Sequence, residues 1–191
     1  GDLLNSIYGA NGTTQIMGGR DVDTHYWDDE NLGYFLTHQN AEQLIVRSKT
    51  AHDNAVPAGN GTMLGNLARL YHLTGDDDYR QRAEDLIKAF SGEVERNFFP
   101  LATLLNNSEL FYAGVQVVLI GDQDKSLADV VRDYDLPNLI LVQSAGALTH
   151  NPAHPANGKG MVGNSATAYV CKNMSCSLPV TEADALKSLL T

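Results

Sequence analysis

A mainly helical chain with one βαβ segment is the fold that this sequence predicts, and three observations carry the prediction. Apolar residues recur at helical spacing from Asn60 to Tyr112, the period switches abruptly at Val115, and a second apolar run starts at Leu139 after a short amphipathic stretch. The 191 residues, 43% hydrophobic and 19% charged, are enough for a buried core and rule out a wholly disordered chain. Thirteen basic against 23 acidic side chains leave a formal charge of −10, which excludes nucleic acid and an anionic membrane surface as the main partner. No apolar run approaches the ~20 residues a bilayer span needs. The first residues, Gly1-Asp2-Leu3-Leu4-Asn5, lack the basic-then-apolar order of a signal peptide. Two cysteines point to a reducing, cytoplasmic setting.

Residues 1–25 read as an irregular N-terminal segment punctuated by Gly9, Gly12, Gly18 and Gly19, with a short strand near Gln15-Ile16-Met17. No helical stripe is legible before Trp27. The acidic turn Asp28-Asp29-Glu30 between aromatic-rich runs predicts a short hairpin, and Leu44-Ile45-Val46-Arg47 a further extended run. Met63, Leu67, Leu70 and Tyr71 then predict a first long helix, stopped by Gly75, and Tyr79, Ala83, Leu86, Ile87 and Phe90 a second, begun by Asp76 to Asp78. The two form an αα-hairpin, and a third helix covers Pro100 to Tyr112, so 26–112 is the helical portion. The 113–191 portion starts with the strand Val115–Ile120, a helix with Ser126 as N-cap, and a parallel strand Leu139–Val142. A loop over 144–165, the strand Ala168–Cys171 and a closing helix from Glu182 to Leu190, with Thr181 and Asp184 resembling a capping box, complete it.

Candidate chemistry is sparse. Asp53 and Glu109 are the candidate catalytic pair, with the Asp28-Asp29-Glu30 turn in reserve, because acid/base work needs two converging carboxylates. Asn54 and Asn60 lie in the small-residue loop entering the first long helix, where free N–H groups favour an anion or a hydroxyl; Asn60 is otherwise an ordinary helix cap. Trp27 and Tyr34 are candidate stacking surfaces for a sugar, or else core. His150, His154, Cys171 and Cys176 have side chains that zinc accepts, although Pro152 and Pro155 keep the histidines off a common helix face; the alternative is structural thiols near a strand end. The βαβ unit lacks Gly-x-Gly-x-x-Gly and a Lys-bearing phosphate loop, so no nucleotide and no other cofactor is expected.

Five strings occur together in order: Gly33-Tyr34-Phe35; Leu44-Ile45-Val46-Arg47; Asp53-Asn54-Ala55-Val56-Pro57-Ala58-Gly59-Asn60; Leu73-Thr74-Gly75-Asp76; and the run from Ala168 to Thr181 with Cys171-Lys172-Asn173-Met174-Ser175-Cys176. Over roughly residues 26–191 the chain thereby resembles the C-terminal part of the thioredoxin-domain family that includes bacterial YyaL and spermatogenesis-associated protein 20. The resemblance implies a partial α/α toroid of the six-hairpin glycosidase type, with glycosidase- or sugar-epimerase-like chemistry on a sugar-like small molecule. The alternative it leaves is a non-catalytic binding or scaffold module for a thioredoxin-like partner. The family's redox cysteines belong to an N-terminal domain whose motif this chain lacks. Twelve toroid helices of ~11–12 residues with loops exceed ~190 residues, so a fragment or reduced relative with open helix faces is expected. Those faces would be covered in a homodimer or by a separate chain.

Overall fold

A computed structural model describes residues 19–41, 46–147, 152, 154–173 and 175–191. The expected strand at Gln15–Met17, the first half of the run at Leu44–Arg47, and His150 lie outside the described residues. Three helices pack side by side: α2 (Gly59–Thr74), α3 (Asp77–Arg96) and α4 (Ala102–Ala113), the last led in by a 3-10 turn over Phe99–Leu101. The connections are short, so chain neighbours run antiparallel. Gly75 ends α2 at φ 67°, with its N–H bonded to the Tyr71 carbonyl at 2.8 Å, a left-handed cap that costs glycine little. One residue later the Asp76 carboxylate accepts from the Asp78 N–H at 3.0 Å and opens α3.

α2 and α4 approach closely because two turns of α2 present glycine. A Cβ on Gly61 would stand 2.9 Å from the Leu104 nitrogen, and one on Gly65 2.5 Å from Asn107 Oδ1. Asn107 uses the space to donate to the Gly61 carbonyl at 2.9 Å. Leu64, Leu86, Phe90, Leu101 and Leu104 form the core of this lobe together with Trp27 and Tyr34.

The second lobe is a four-stranded sheet of order β2-β1-β3-β4, with β1 (Val115–Ile120), β2 (Leu139–Ser144), β3 (Thr167–Lys172) and β4 (Ser175–Cys176). β1 pairs parallel with β2 through α5 (Ser126–Arg132), as the period switch predicts, and antiparallel with β3. Period 2 sorts the residues of β1 between two faces. Val117 and Leu119 meet Leu127, Val131, Leu186 and Leu190 of α5 and of the closing α6 (Ala183–Leu190), whereas Val118 and Ile120 meet Ala156, Tyr169 and Cys171.

Four expectations are corrected. Residues 19–25, expected to be irregular, form helix α1 (Gly19–Tyr26) together with Tyr26; its apolar stripe is only Val22 and Tyr26, packed on the helical core, too short to show as a period. Asn60 lies inside α2 and does not cap it; the cap position is Ala58, with no side-chain bond. Ser126 is the first residue of α5 rather than its cap, and the Asp122 carboxylate takes the capping role, accepting from Leu127 and Ala128. α6 starts after Glu182 without a side-chain cap, so Thr181 and Asp184 form no capping box. Among the described residues the helices make a layer beside a sheet, in a mixed α/β arrangement, and no toroid is formed.

Candidate functional site

The close crossing of α2 and α4 brings two helix N-termini together, and the loop ahead of α2 fills the space between them. Asp53 is held there by its own N–H, bonded to the Pro100 carbonyl at 2.7 Å. Its Oδ1 accepts from the Ala58 N–H at 2.8 Å and its Oδ2 from the Thr103 N–H at 2.8 Å. One carboxylate thus serves the leading ends of two parallel helices, where orphan N–H groups and the positive ends of both dipoles favour an anion. Partial burial pushes the Asp53 carboxyl up, but the N–H groups of Ala58 and Thr103 and the Thr103 side chain outweigh it and hold it below the usual carboxylate range. Asp53 is therefore an ionised acceptor with both oxygens engaged, and it has no proton to give at neutral pH.

Asn60 is 1% exposed. Its Oδ1 accepts from the Tyr34 N–H at 2.7 Å, and its Nδ2 donates to the carbonyls of Tyr34 at 2.9 Å and Thr50 at 2.8 Å. The amide pairs with Tyr34 as a neighbouring strand would and ties two loop segments to the helix. Tyr34 and Trp27 face each other edge to face, centroids 4.9 Å apart, across the bridge that closes the expected hairpin. Both are buried, so they form core and offer no open ring face to a sugar. Of the loop residues assigned to a ligand, Asn54 alone is exposed.

Glu109 is exposed on α4, six residues beyond Thr103. That spacing is about 9 Å along the axis and some 240° around it, so Glu109 lies on a different face of α4 from Thr103. Asp28 is nearly buried and is paired with Lys49 at 2.6 Å while accepting from the N–H groups of Glu30 and Asn31. Burial raises its pKa, and Lys49 with those N–H groups more than reverses the effect. A cluster that the sequence does not announce lies nearby. The Tyr34 hydroxyl donates to Asp23 at 2.6 Å, Arg82 approaches the same carboxylate at 3.5 Å, and the Arg82 guanidinium lies 4.0 Å over the Trp27 ring. Burial, then the bond to Asp23, pushes the Tyr34 hydroxyl far up, so it stays protonated. The only signal for it was Arg82 on the polar side of α3 opposite an aromatic pair, which fits any solvated helix face.

Cys171 and Cys176 are register partners on β3 and β4 and form a disulfide with each other. Neither sulfur is then a thiolate for zinc, and the pairing runs against the reducing setting expected from the cysteine count. His154 Nε2 lies 2.7 Å from the His72 carbonyl, and its Nδ1 accepts from the Ala156 N–H. No group of three metal-ligating side chains converges among the described residues. The βαβ unit is equally closed to phosphate, because the Asp122 carboxylate already occupies the start of α5. No described helix is long and apolar enough to cross a membrane.

Comparison with known proteins places the chain. It is 29% identical over 177 residues to spermatogenesis-associated protein 20 of Homo sapiens, a match covering 88% of this chain and 22% of that relative. Over most of its own length the chain is thus similar to spermatogenesis-associated protein 20. The Mus musculus protein of that name is 28% identical over 177 residues, 88% of this chain and 22% of the relative. An uncharacterised protein of Caenorhabditis elegans is 29% identical over 180 residues, 87% of this chain and 23% of the relative. The chain spans little more than a fifth of the length of these relatives. No family model matches it.

Proposed function

We propose that this chain is a non-catalytic binding or scaffold module, and that the glycosidase- or epimerase-like reaction implied by its resemblance is not carried by Asp53 and Glu109. One observation carries this reading: both oxygens of the Asp53 carboxylate are consumed by the N–H groups of two helix starts, while Glu109 stands exposed on α4. A glycosidase needs one carboxyl with a raised pKa about 5–10 Å from a second. Asp53 is displaced in the other direction.

The surface best suited to a ligand lies at the same end of the helical lobe. Val56 is 70% exposed, and the bond from Asp53 to Pro100 sets its loop beside Phe98 and Phe99, which are 62% and 85% exposed. Exposed rings beside the amide of Asn54 suit a sugar-like ligand, and the apolar area equally suits a separate protein chain, a thioredoxin-like partner or a second copy. The test is turnover. The purified chain is incubated with a panel of aryl glycosides and reducing sugars, and no hydrolysis or epimerisation above background is expected. Turnover that is lost in both D53N and E109Q would overturn the reading.

A further inference from the structure

The His72 carbonyl is shared by both lobes. It accepts from Gln116 Nε2 of β1 at 2.7 Å and lies 2.7 Å from His154 Nε2. On the opposite side of the same ring, His154 Nδ1 accepts from the Ala156 N–H at 3.1 Å. A neutral imidazole that accepts at Nδ1 carries its proton on Nε2, so His154 donates to the His72 carbonyl. Gly75 leaves room for this seat, since a Cβ there would stand 3.0 Å from the His154 Cβ.

From that seat residues 154–160 run across one face of the sheet as a strap. Ala156 is fully buried against Val118, Ile120, Tyr169 and Cys171. The Tyr169 hydroxyl donates to the Gly160 carbonyl at 2.8 Å, and the Lys159 ammonium lies 4.8 Å over the Tyr169 ring.

We infer that His154 is an acid-release latch: a proton taken up at its Nδ1 confronts the Ala156 N–H donor with a second donor, unseats the ring and frees the 154–160 strap from the sheet. The ionisable groups around the joint come from each element that packs on it. α2 brings the His72 imidazole, itself turned to the carbonyls of Leu110 and Phe111 on α4 at 3.2 and 3.3 Å, with the Tyr71 ring 5.5 Å from it. α3 brings Asp76, next to Gly75, whose carboxylate is engaged with the Asp78 N–H. β1 brings the neutral Gln116 amide, and the strap brings Lys159, directed at Tyr169. Release by protonation therefore breaks the side-chain bond from His154 to the Ala156 N–H, leaves the backbone bond from the Asn157 N–H to the His154 carbonyl at 2.9 Å, and weakens the tie between strap and α2.

Hydrogen exchange on the full chain at pH 7.5 and pH 5.5, corrected for the intrinsic rate, reads the latch. Protection of peptides covering 154–160 should fall about tenfold at the lower pH, with peptides from β1 unchanged. In H154Q the amide still donates to the His72 carbonyl but takes up no proton, so strap protection should be the same at both pH values. Equal wild-type protection of the strap at the two pH values overturns the inference, and so does an undiminished loss in H154Q. Should H154Q fail to fold, the wild-type comparison, with β1 as internal control, decides alone.

Discussion

The two lobes are held together by different physics. The sheet lobe relies on alternation: β1 is buried along its whole length, its odd and even residues feed two apolar clusters, and the ladders to β2 and β3 satisfy its backbone. The helical lobe has a comparable apolar core, yet the segments around it have almost no ladder of their own. Buried or half-buried side chains supply their backbone bonds, with Asn60 holding Tyr34 and Thr50, Asp53 holding Ala58 and Thr103, and Arg47 donating to the carbonyls of His25 and Thr37. The comparison teaches that a polar residue in the helical lobe is first a structural part, because irregular backbone inside a fold must find partners somewhere.

The contrast can be broken most sharply at Asn60. N60L removes three hydrogen bonds and strands buried backbone groups of Tyr34 and Thr50, which should cost about 3–5 kcal/mol. Denaturant unfolding measures that loss. Hydrogen exchange should show it as early opening of 26–36 with β1 still protected, and uniform opening of both lobes would remove the distinction. In the sheet lobe the disulfide closes a very short loop, so C171A/C176A should cost only about 2 kcal/mol, read from the midpoints of oxidised wild type and variant. A cost near zero would mean that the ladder alone holds β4.

D53A should cost about 1–2 kcal/mol, as loss of a shared cap does. The depressed pKa of Asp53 sets the sign: its contribution is full above the ordinary carboxylate value near pH 4 and is lost as pH falls below it. Wild type should thus lose its advantage over D53A on acidification, and a gap that is constant down to pH 2.5 would refute the ionic role of the carboxylate. The smallest effect is expected at Glu109, exposed on α4, where E109Q should shift stability by less than about 0.5 kcal/mol in a thermal melt. A larger destabilisation would reveal a contact that its exposure does not suggest.

Much of the framework was legible. The Gly75 stop, the Asp76 start, the switch to period 2 at Val115 and the parallel pairing of β1 with β2 follow from spacing and from the properties of single residues. What escaped was position across the fold. Helix α1 escaped because two apolar residues make no period, and it exists because Val22 and Tyr26 find the helical core. Asn60 looked like a cap because caps are common at such a place; its real partners lie 10 and 26 residues back in the chain. The cysteines suggested zinc ligands or free thiols, and only the register of β4 against β3 sets them opposite each other.

The sequence by itself determined the element types in 60–142, the helix stop at Gly75 and the chain's net charge, because these depend on neighbours within a turn or two. The tertiary structure alone decided that Asp53 bridges two helix starts and that His72 and His154 meet at one carbonyl. It also decided that Trp27 and Tyr34 are core, not a ligand platform. Each of these depends on groups distant in the chain, whose meeting is set by packing and by the need to satisfy buried polar atoms, and neither leaves a local period in the sequence to read.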